Sequence, residues 1–354
     1  MDHKGTSEVR RRIAATAAAV DAGTRDTRAA LAWLGGQGLL GQATAAPGGP
    51  LTGPVALVRD VAAGSLATAF SVWSQTMVLE YLRCCPTPAA TELVPALRAG
   101  ELAGATALAP AIADLAGERP LPVQAERDGD GWRLTGRLTW ASNLFDDAVV
   151  VAPARTTDGG RLVALFRLGA AQPVPAPPLL ALNGTGTGAV ELRGVPVAAD
   201  AVLSTDLAGF LSLCMPAMLL LQTALAVGLA DAALPAAAGN LTGPNRTLVA
   251  DHQELTERHA EVATRLGALA ATPDAATRAG LAQLRLDAMH VAADAVRLES
   301  TAALGSGFRA DSPTSRRVRE AAFLPVQAPT EGQLRVQAGL TPTAYRQPGS
   351  RSSA

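Results

Sequence analysis

Hydrophobic and polar residues follow three different patterns along the chain. Residues 7–98 are rich in alanine with clustered leucines, which predicts helices, and the Gly- and Pro-rich stretch 42–54 predicts a loop between them. Residues 100–203 contain short apolar runs with strand character. From about residue 205 the apolar positions return to helical spacing. The predicted order of elements is therefore helices, then strands, then helices.

The middle segment carries the clearest strand pattern. Four apolar residues alternate with four polar ones, namely Trp132, Leu134, Leu138 and Trp140 with Arg133, Thr135, Arg137 and Thr139. This period of two predicts one buried and one exposed face. The preceding residues 128–131, Asp-Gly-Asp-Gly, predict a hairpin turn. Further strands are predicted at 123–125, 148–152, 162–166 and 189–192, which together indicate a small antiparallel sheet.

The last third of the chain is typical of a helical bundle. One apolar stripe consists of Leu248, Leu255, Val262, Leu266 and Leu269. A second, heptad-like stripe consists of Leu281, Leu284, Ala288, Val291, Ala295, Leu298 and Ala302, and it stops at the glycines of residues 305–307. Long helices with such stripes predict a four-helix bundle.

The patterns predict an α+β fold that is mainly α. We expect an N-terminal helical domain over residues 1–98, a small antiparallel β domain over 99–203 and a C-terminal four-helix bundle over 204–342. The tail 343–354, rich in Pro, Gly, Ser and Arg, is expected to be disordered. A cleft where the sheet meets the helices would suit a small molecule or cofactor.

One apolar stretch, residues 207–230, is uncharged and long enough to span a bilayer. Pro216 and Gln222 interrupt it, Asp206 and Asp231 bracket it, and no positively charged flank follows. We therefore expect a core helix and no membrane span. The N-terminal sequence MDHKGTSEVRRR lacks the apolar core of a signal peptide.

Composition excludes several kinds of chemistry. A net charge of -1 over 354 residues argues against nucleic-acid binding by phosphate neutralisation. Lys4 is the only lysine, which excludes a lysine Schiff base or a phosphate-loop lysine elsewhere. The three cysteines, Cys84, Cys85 and Cys214, indicate a reduced, cytoplasmic protein. No Cys/His set has metal-ligand spacing, so no metal site is expected. His252, His259 and His290 are interpreted as helix-surface or hydrogen-bonded interior residues.

Several motifs in the same order resemble the acyl-CoA dehydrogenase family of flavoproteins. In the β segment they are GDGWRLTGRLTWASN, DDAVVVAPA and NGTGTGAVELRGVPVAADAVL, and in the bundle AVGLADAAL, DHQ, GSGF and VREAAF. The resemblance covers residues 28 to 340 approximately. It implies the fold of that family, an FAD cofactor and an acyl-CoA or acyl-carrier-protein thioester as substrate. It also implies a dimer or tetramer that associates through the bundle, with identical or homologous subunits.

The resemblance also assigns residues to the cofactor. Trp140 would cover one edge of the isoalloxazine ring, and Ser142 with the local backbone at Asn143 would hydrogen-bond near the flavin N5 and O4. Thr106 lies in the early flavin loop, in which Leu108 replaces the usual threonine. The arginine that usually reaches the flavin of a neighbouring subunit is replaced by Thr242, and the Phe-Gly of its motif is absent. Arg246, one turn further along, would be the substitute for that arginine. A glutamine that usually contacts the diphosphate is Thr301 here.

The expected catalytic base is missing. The family's reaction needs a carboxylate that removes the α-proton of the thioester. Its usual position, in a loop before Arg335, corresponds to Ala328. The alternative position on the helix opening the bundle corresponds to Met218, followed by Leu219 where an arginine is usual. Glu331 is the nearby carboxylate that could act instead.

Three functions therefore remain open. The first is an FAD-dependent acyl-CoA dehydrogenase that acts on the CH–CH group of an acyl thioester, with Glu331 as a displaced base. The second is a non-catalytic partner subunit of a heteromeric acyl-CoA dehydrogenase. The third is a flavin-dependent monooxygenase on the same fold, which needs no α-proton base.

Overall fold

The computed structural model describes residues 3–41 and 49–340. The predicted tail 343–354 and most of the predicted loop 42–54 lie outside the described residues. The end of that loop is helical, because a helix begins at Thr52.

The N-terminal part is helical, as predicted. Its helices are α1 (His3–Ala14), α2 (Ala17–Asp21), α3 (Arg28–Gly36), α4 (Thr52–Gly64), α5 (Leu66–Cys84) and α6 (Pro88–Arg98). Helix α5 is the centre of this part, since every residue from Leu66 to Leu82 is buried. The Ser65 side chain caps its first turn by accepting a hydrogen bond from the Thr68 amide.

The middle part is an eight-stranded sheet. Its elements are β1 (Gly104–Thr106), helix α7 (Ala109–Leu115), β2 (Val123–Asp128), β3 (Gly131–Ala141), β4 (Val149–Thr156), β5 (Arg161–Arg167), β6 (Gln172–Pro175), β7 (Gly188–Val197) and β8 (Val202–Ser204). The strand order is β6-β7-β3-β2-β4-β5-β8, with β1 paired to β4. The sheet is mixed rather than purely antiparallel, because β4 pairs with β2 instead of β3 and runs parallel to both β2 and β1.

Strand β3 follows the predicted alternation of buried and exposed residues as far as Leu138. Asp128 pairs with Gly131 across the predicted hairpin, and Gly129 has a φ of 59° that suits glycine. Trp132 and its inward neighbours are buried, but Trp140 is 56% exposed. The reason is a bulge between Leu138 and Ala141 that shifts the register and turns Trp140 off the core face.

The C-terminal part contains α8 (Leu207–Ala238), α9 (Val249–Ala271), α10 (Arg278–Gly307), α11 (Pro313–Ala321) and α12 (Glu331–Gln337). Helices α8, α9 and α10 pack on one another, and the short α11 adds to them against α10 and α8. Every residue of the heptad-like stripe on α10 is buried. The bundle is joined to the N-terminal part through α4, which packs so closely on α8 that a Cβ at Gly228 would lie 2.3 Å from the Arg59 carbonyl oxygen.

Helix α8 contains the apolar stretch that could span a bilayer by length and composition. In the described residues it is the one helix that meets this test, and 83% of its most apolar window is buried inside the protein. The helix therefore lies where a core helix was predicted, between α4, α5, α9 and α10.

Candidate functional site

A cleft of about 590 Å³ opens where the end of β3 meets the helices. We call it the aromatic cleft. Helix α5 contributes Phe70 and Trp73 to its lining, and the segment from β1 to α7 contributes Thr106 and Leu108. The end of β3, helix α8 and the loop after α11 contribute Trp140, Ser142, Met218, Phe323, Gln327 and Ala328. Residues 179–182 and Thr187, which precede β7, also belong to the lining. Residues from all three parts of the chain thus meet at one site.

Aromatic rings form much of this surface. The Phe70 and Trp73 rings are stacked with centroids 5.2 Å apart, and Phe323 meets Phe70 edge-on at 4.8 Å. Phe70 and Trp73 lie three residues apart on α5, so both side chains are on the face of the helix that lines the cleft. Sequence reasoning missed these three residues. The available signal was the close spacing of Phe70 and Trp73 in a chain with only 3% aromatic residues, a signal that Phe323 does not share.

Two sequence-predicted polar residues also line the aromatic cleft. The Ser142 Oγ lies 2.7 Å from Thr187 Oγ1, which lies 2.6 Å from Thr185 Oγ1. Thr185 in turn donates to the Leu182 carbonyl oxygen at 2.7 Å. On another side, Thr106 Oγ1 lies 3.0 Å from the hydroxyl of Tyr81. Ser142 and Thr106 therefore give the cleft a polar edge.

The Tyr81–Thr106 pair leaves Thr106 free to donate. Tyr81 is fully buried, and burial raises the pKa of its phenol far above the usual value, so the hydroxyl stays protonated. Among the described residues Thr106 is its hydrogen-bond partner. A buried hydroxyl without an acceptor costs stability, so Tyr81 donates to Thr106 and the Thr106 proton is available to the cleft.

Asn143 lies behind the cleft surface rather than on it. Its Nδ2 donates to the Ser71 carbonyl oxygen at 2.9 Å and to the Gly104 carbonyl oxygen at 3.0 Å. It is fully buried and has a φ of 62°, a left-handed conformation that asparagine tolerates. Asn143 therefore joins the turn after β3 to α5 and β1, next to Ser142 in the sequence.

Both positions expected for a catalytic base line the aromatic cleft. Met218 lines it from α8, and Ala328 lines it from the loop after α11. The Ala328 carbonyl oxygen accepts a hydrogen bond from Gln222 Nε2 at 2.9 Å. Of the described residues that line this cleft, none is an aspartate or a glutamate. Arg319 is the charged member of that lining, and it is ion-paired with Asp21. The cleft is therefore mostly apolar, with no proton-accepting carboxylate on its surface.

Glu331 lies elsewhere. It begins α12, whose start is fixed by a capping box between Thr330 and Gln333, and it lines a second cleft together with His290. Its carboxylate lies 2.6 Å from the Arg335 guanidinium and 3.6 Å from His290 Nε2. The hydrogen bond from Arg335 lowers the pKa of Glu331. The structure does not bring Glu331 together with Trp140 and Ser142.

Arg246 also lies outside the aromatic cleft. It is exposed within the 3-10 helix Gly243–Leu248 between α8 and α9. Its predicted contact with the flavin of a neighbouring subunit stays a prediction, because it depends on a second chain.

Comparison with solved structures identifies the fold. The butyryl-CoA dehydrogenase from Megasphaera elsdenii matches with a TM-score of 0.84 and 16% identity, over 95% of this chain and 95% of that chain. A glutaryl-CoA dehydrogenase from Mycobacterium smegmatis matches with a TM-score of 0.82 and 17% identity, over 96% and 94%. A second structure of a glutaryl-CoA dehydrogenase from that organism, in complex with FADH2, matches with a TM-score of 0.76 and 18% identity, over 96% and 94%.

The fold also occurs outside the dehydrogenases. The flavoprotein nitroalkane oxidase matches with a TM-score of 0.75 and 18% identity, over 96% of this chain and 95% of that chain. No protein-family model matches the sequence, and no curated protein gives a significant match. The chain therefore has the acyl-CoA dehydrogenase fold, as the motifs implied, and its chemistry has to be argued from the site.

Proposed function

We propose that this chain binds FAD in the aromatic cleft and is an oxidoreductase for acyl thioesters whose own residues do not remove the α-proton. The single observation that carries this proposal is the lining of the cleft. It combines Trp140, Ser142 and Thr106 with the two base positions, Met218 and Ala328, and its described members include no carboxylate.

The residues present fit the isoalloxazine end of FAD. A flat heteroaromatic ring needs an apolar slot with a few hydrogen-bonding groups at its edge. The slot is formed by Trp140 and the stacked rings of α5, and the edge by Ser142 as an acceptor and Thr106 as a donor. When bound, the flavin would supply two-electron redox chemistry that no side chain of this protein provides.

The diphosphate end needs charge from elsewhere. Arg319 is already neutralised by Asp21, so the cleft offers no free cation to a phosphate among its described lining residues. Arg246 is exposed and can fill this role only for a flavin bound to a neighbouring subunit. FAD binding therefore favours a dimer or tetramer, and we propose that the protein assembles as one.

An acyl thioester suits the rest of the cleft. The lining includes Leu179, Leu180, Ile112, Phe323 and Val326, which offer apolar surface to an acyl chain. The fold is shared with proteins that are named for butyryl-CoA and glutaryl-CoA. The test below compares acyl chains of different length on coenzyme A.

Desaturation by this chain alone lacks its base. A thioester α-proton is only weakly acidic, and a positioned general base contributes about 10²–10⁴-fold to such a proton transfer. Ala328 and Met218 cannot accept a proton, while Glu331 is held by Arg335 and lies at another cleft. We therefore expect slow reduction of bound flavin by saturated acyl-CoA.

The same observation favours a second candidate function. A flavin-dependent monooxygenase uses reduced flavin and oxygen and requires no carboxylate for α-proton removal. The third candidate function is that of a partner subunit in a heteromeric dehydrogenase. It predicts that the protein binds little flavin when it is expressed alone.

The test combines flavin content with a restored base. The protein is purified, its FAD content is measured from the visible absorption band, and a series of acyl-CoA thioesters is added anaerobically. Ala328→Glu should accelerate flavin bleaching by about 10²–10⁴-fold over the native chain. Val326→Glu is the matched control, because it adds a carboxylate to the same lining at a position that does not correspond to either base position of the resemblance.

The outcomes distinguish the candidate functions. Flavin with slow bleaching that Ala328→Glu accelerates and Val326→Glu does not supports the proposal. Fast bleaching by the native chain contradicts the missing base. Bound flavin whose reduced form consumes oxygen in the presence of acyl thioester supports the monooxygenase. A colourless protein that does not take up added FAD contradicts FAD binding by this chain alone.

A further inference from the structure

The hydroxyl groups at the polar edge form a chain with a fixed direction, in which Ser142 and Thr187 line the aromatic cleft and Thr185 lies buried behind them. Thr185 must donate to the Leu182 carbonyl oxygen, 2.7 Å away, because a carbonyl cannot donate. Each hydroxyl carries a single proton, so in the Thr185–Thr187 bond of 2.6 Å the donor is Thr187. By the same reasoning Ser142 donates in its 2.7 Å bond to Thr187. Ser142 therefore presents only oxygen lone pairs to the aromatic cleft.

The inner end of this chain is held in place by the fold. Thr185 is fully buried, and its backbone amide also donates to the Leu182 carbonyl oxygen at 3.2 Å. Its carbonyl oxygen accepts from the Asn143 amide at 2.8 Å, next to Ser142 in the sequence. Reversing the direction would break the Thr185–Leu182 hydrogen bond in the interior, where it has no replacement from water.

We propose that Thr187 and Thr185 are positioning residues that hold Ser142 as a hydrogen-bond acceptor, so that the aromatic cleft binds reduced flavin in preference to oxidised flavin. This inference rests on the proposed FAD binding. The resemblance implies that the Ser142 hydroxyl lies near the flavin N5 and O4, and we infer that N5 is its partner. That nitrogen is an acceptor in oxidised flavin and carries a hydrogen in reduced flavin. An acceptor opposite N5 is therefore matched to the reduced form and mismatched to the oxidised form.

The test compares the affinities for the two redox forms. Dissociation constants of oxidised FAD and of anaerobically reduced FAD are measured for the apoprotein by fluorescence titration. In Thr187→Val, a nearly isosteric change, the Ser142 proton is released and can be donated to oxidised N5. We expect the ratio of the oxidised to the reduced dissociation constant to fall about tenfold, equivalent to a reduction potential lower by about 30 mV for two electrons. Thr187→Ser keeps the hydroxyl and should restore the native ratio.

Ser142→Ala provides an independent variant. If Ser142 is an acceptor, its removal weakens binding of the reduced form and relieves the mismatch with the oxidised form, so the ratio should also fall. If Ser142 were a donor to oxidised N5, the ratio would rise. This arm keeps its meaning even if Thr187→Val does not fold.

The outcomes separate this inference from the proposed function. Failure of the native protein to bind either redox form of FAD overturns the proposed function itself. FAD binding with an unchanged ratio in Thr187→Val and Ser142→Ala, or with a raised ratio in either, overturns the fixed polarity of Ser142. A lowered ratio in both variants together with the native ratio in Thr187→Ser supports it.

Discussion

The buried carboxylate of Glu320 links the stability of the aromatic cleft to pH. Glu320 lies on α11, is 2% exposed, and its Oε1 accepts a hydrogen bond from the Leu66 amide at 3.1 Å. Leu66 begins α5, the helix that carries Phe70 and Trp73 into the cleft. The Arg316 Nε lies 3.7 Å from Glu320 Oε2, too far to donate a hydrogen bond to it. Burial therefore dominates and raises the pKa of Glu320 from 4.5 to about 7.

A raised pKa of an acid means that the folded protein favours the protonated form. The stabilisation is fully present below the unfolded-state pKa of 4.5 and is lost as the pH rises through about 7. Each pH unit between the two values corresponds to about 1.4 kcal/mol, so ionisation of Glu320 costs on the order of 3 kcal/mol of unfolding free energy by pH 8. The uncharged Glu320→Gln keeps an acceptor for the Leu66 amide but cannot ionise. Its stability relative to the native chain should rise by about this amount between pH 4.5 and pH 8.

Urea unfolding at several pH values, followed by circular dichroism, gives the unfolding free energy of both proteins. Comparing the difference between the two proteins removes the contributions of all other titrating groups. A matched control is Glu331→Gln. The Glu331 carboxylate is only partly buried and is ion-paired with Arg335, which lowers its pKa, so this variant should not show the same trend. A difference that stays constant with pH, or that favours the native chain more strongly at pH 8 than at pH 5, would refute the reasoning.

Three further predictions concern single side chains. Trp140→Ala should weaken FAD binding about tenfold, because it removes the contact between the indole and the flavin. Its unfolding free energy in urea should stay nearly unchanged, since Trp140 is 56% exposed. An unaltered FAD dissociation constant would contradict this role of Trp140. Asn143→Ala should lower the unfolding free energy by about 2–3 kcal/mol, because it removes two buried hydrogen bonds and leaves alanine at a positive φ. A loss below about 0.5 kcal/mol would contradict this. Arg285 is fully buried without a carboxylate partner among the described residues, and burial lowers its pKa to about 9, so its charge is destabilising at pH 7. Arg285→Met should therefore raise the free energy of unfolding in urea by about 1–3 kcal/mol. A clear decrease of this free energy would show that the Arg285 hydrogen bonds to the loop after α11 outweigh the cost of burying the charge.

Much of the site could be predicted from the sequence, because the motifs that carry the resemblance are contiguous. Trp140 and Ser142 end one strand, and Ala328 lies at a fixed distance before Arg335. The structure places all three of Trp140, Ser142 and Ala328 on one cleft. The exposure of Trp140 was not predicted, because a bulge depends on the pairing of β3 with β7 and leaves no mark in the alternation itself.

Residues that act at long sequence distance were missed. Thr187 bonds to Ser142, 45 positions away in the chain, and Thr185 bonds to Thr187. Glu320 bonds to Leu66, 254 positions away. A pattern along the sequence reports periodicity and local turns, whereas these contacts depend on which elements fold against each other. The position of Glu331 shows the same limit, because its distance from Ala328 in sequence is short but the capping box directs it into another cleft.

The sequence by itself determined the order of helices and strands, the burial of α8 as a core helix, the buried face of α10, and the absence of a glutamate at position 328, since these depend on local periodicity and residue identity. Only the tertiary structure decided that position 328, Met218 and the Trp140 turn share one surface, and that the carboxylate at position 331 does not. The physical reason is that a site is assembled by packing between distant segments, and the direction of a hydrogen bond such as that of Ser142 is set by neighbours that folding brings together.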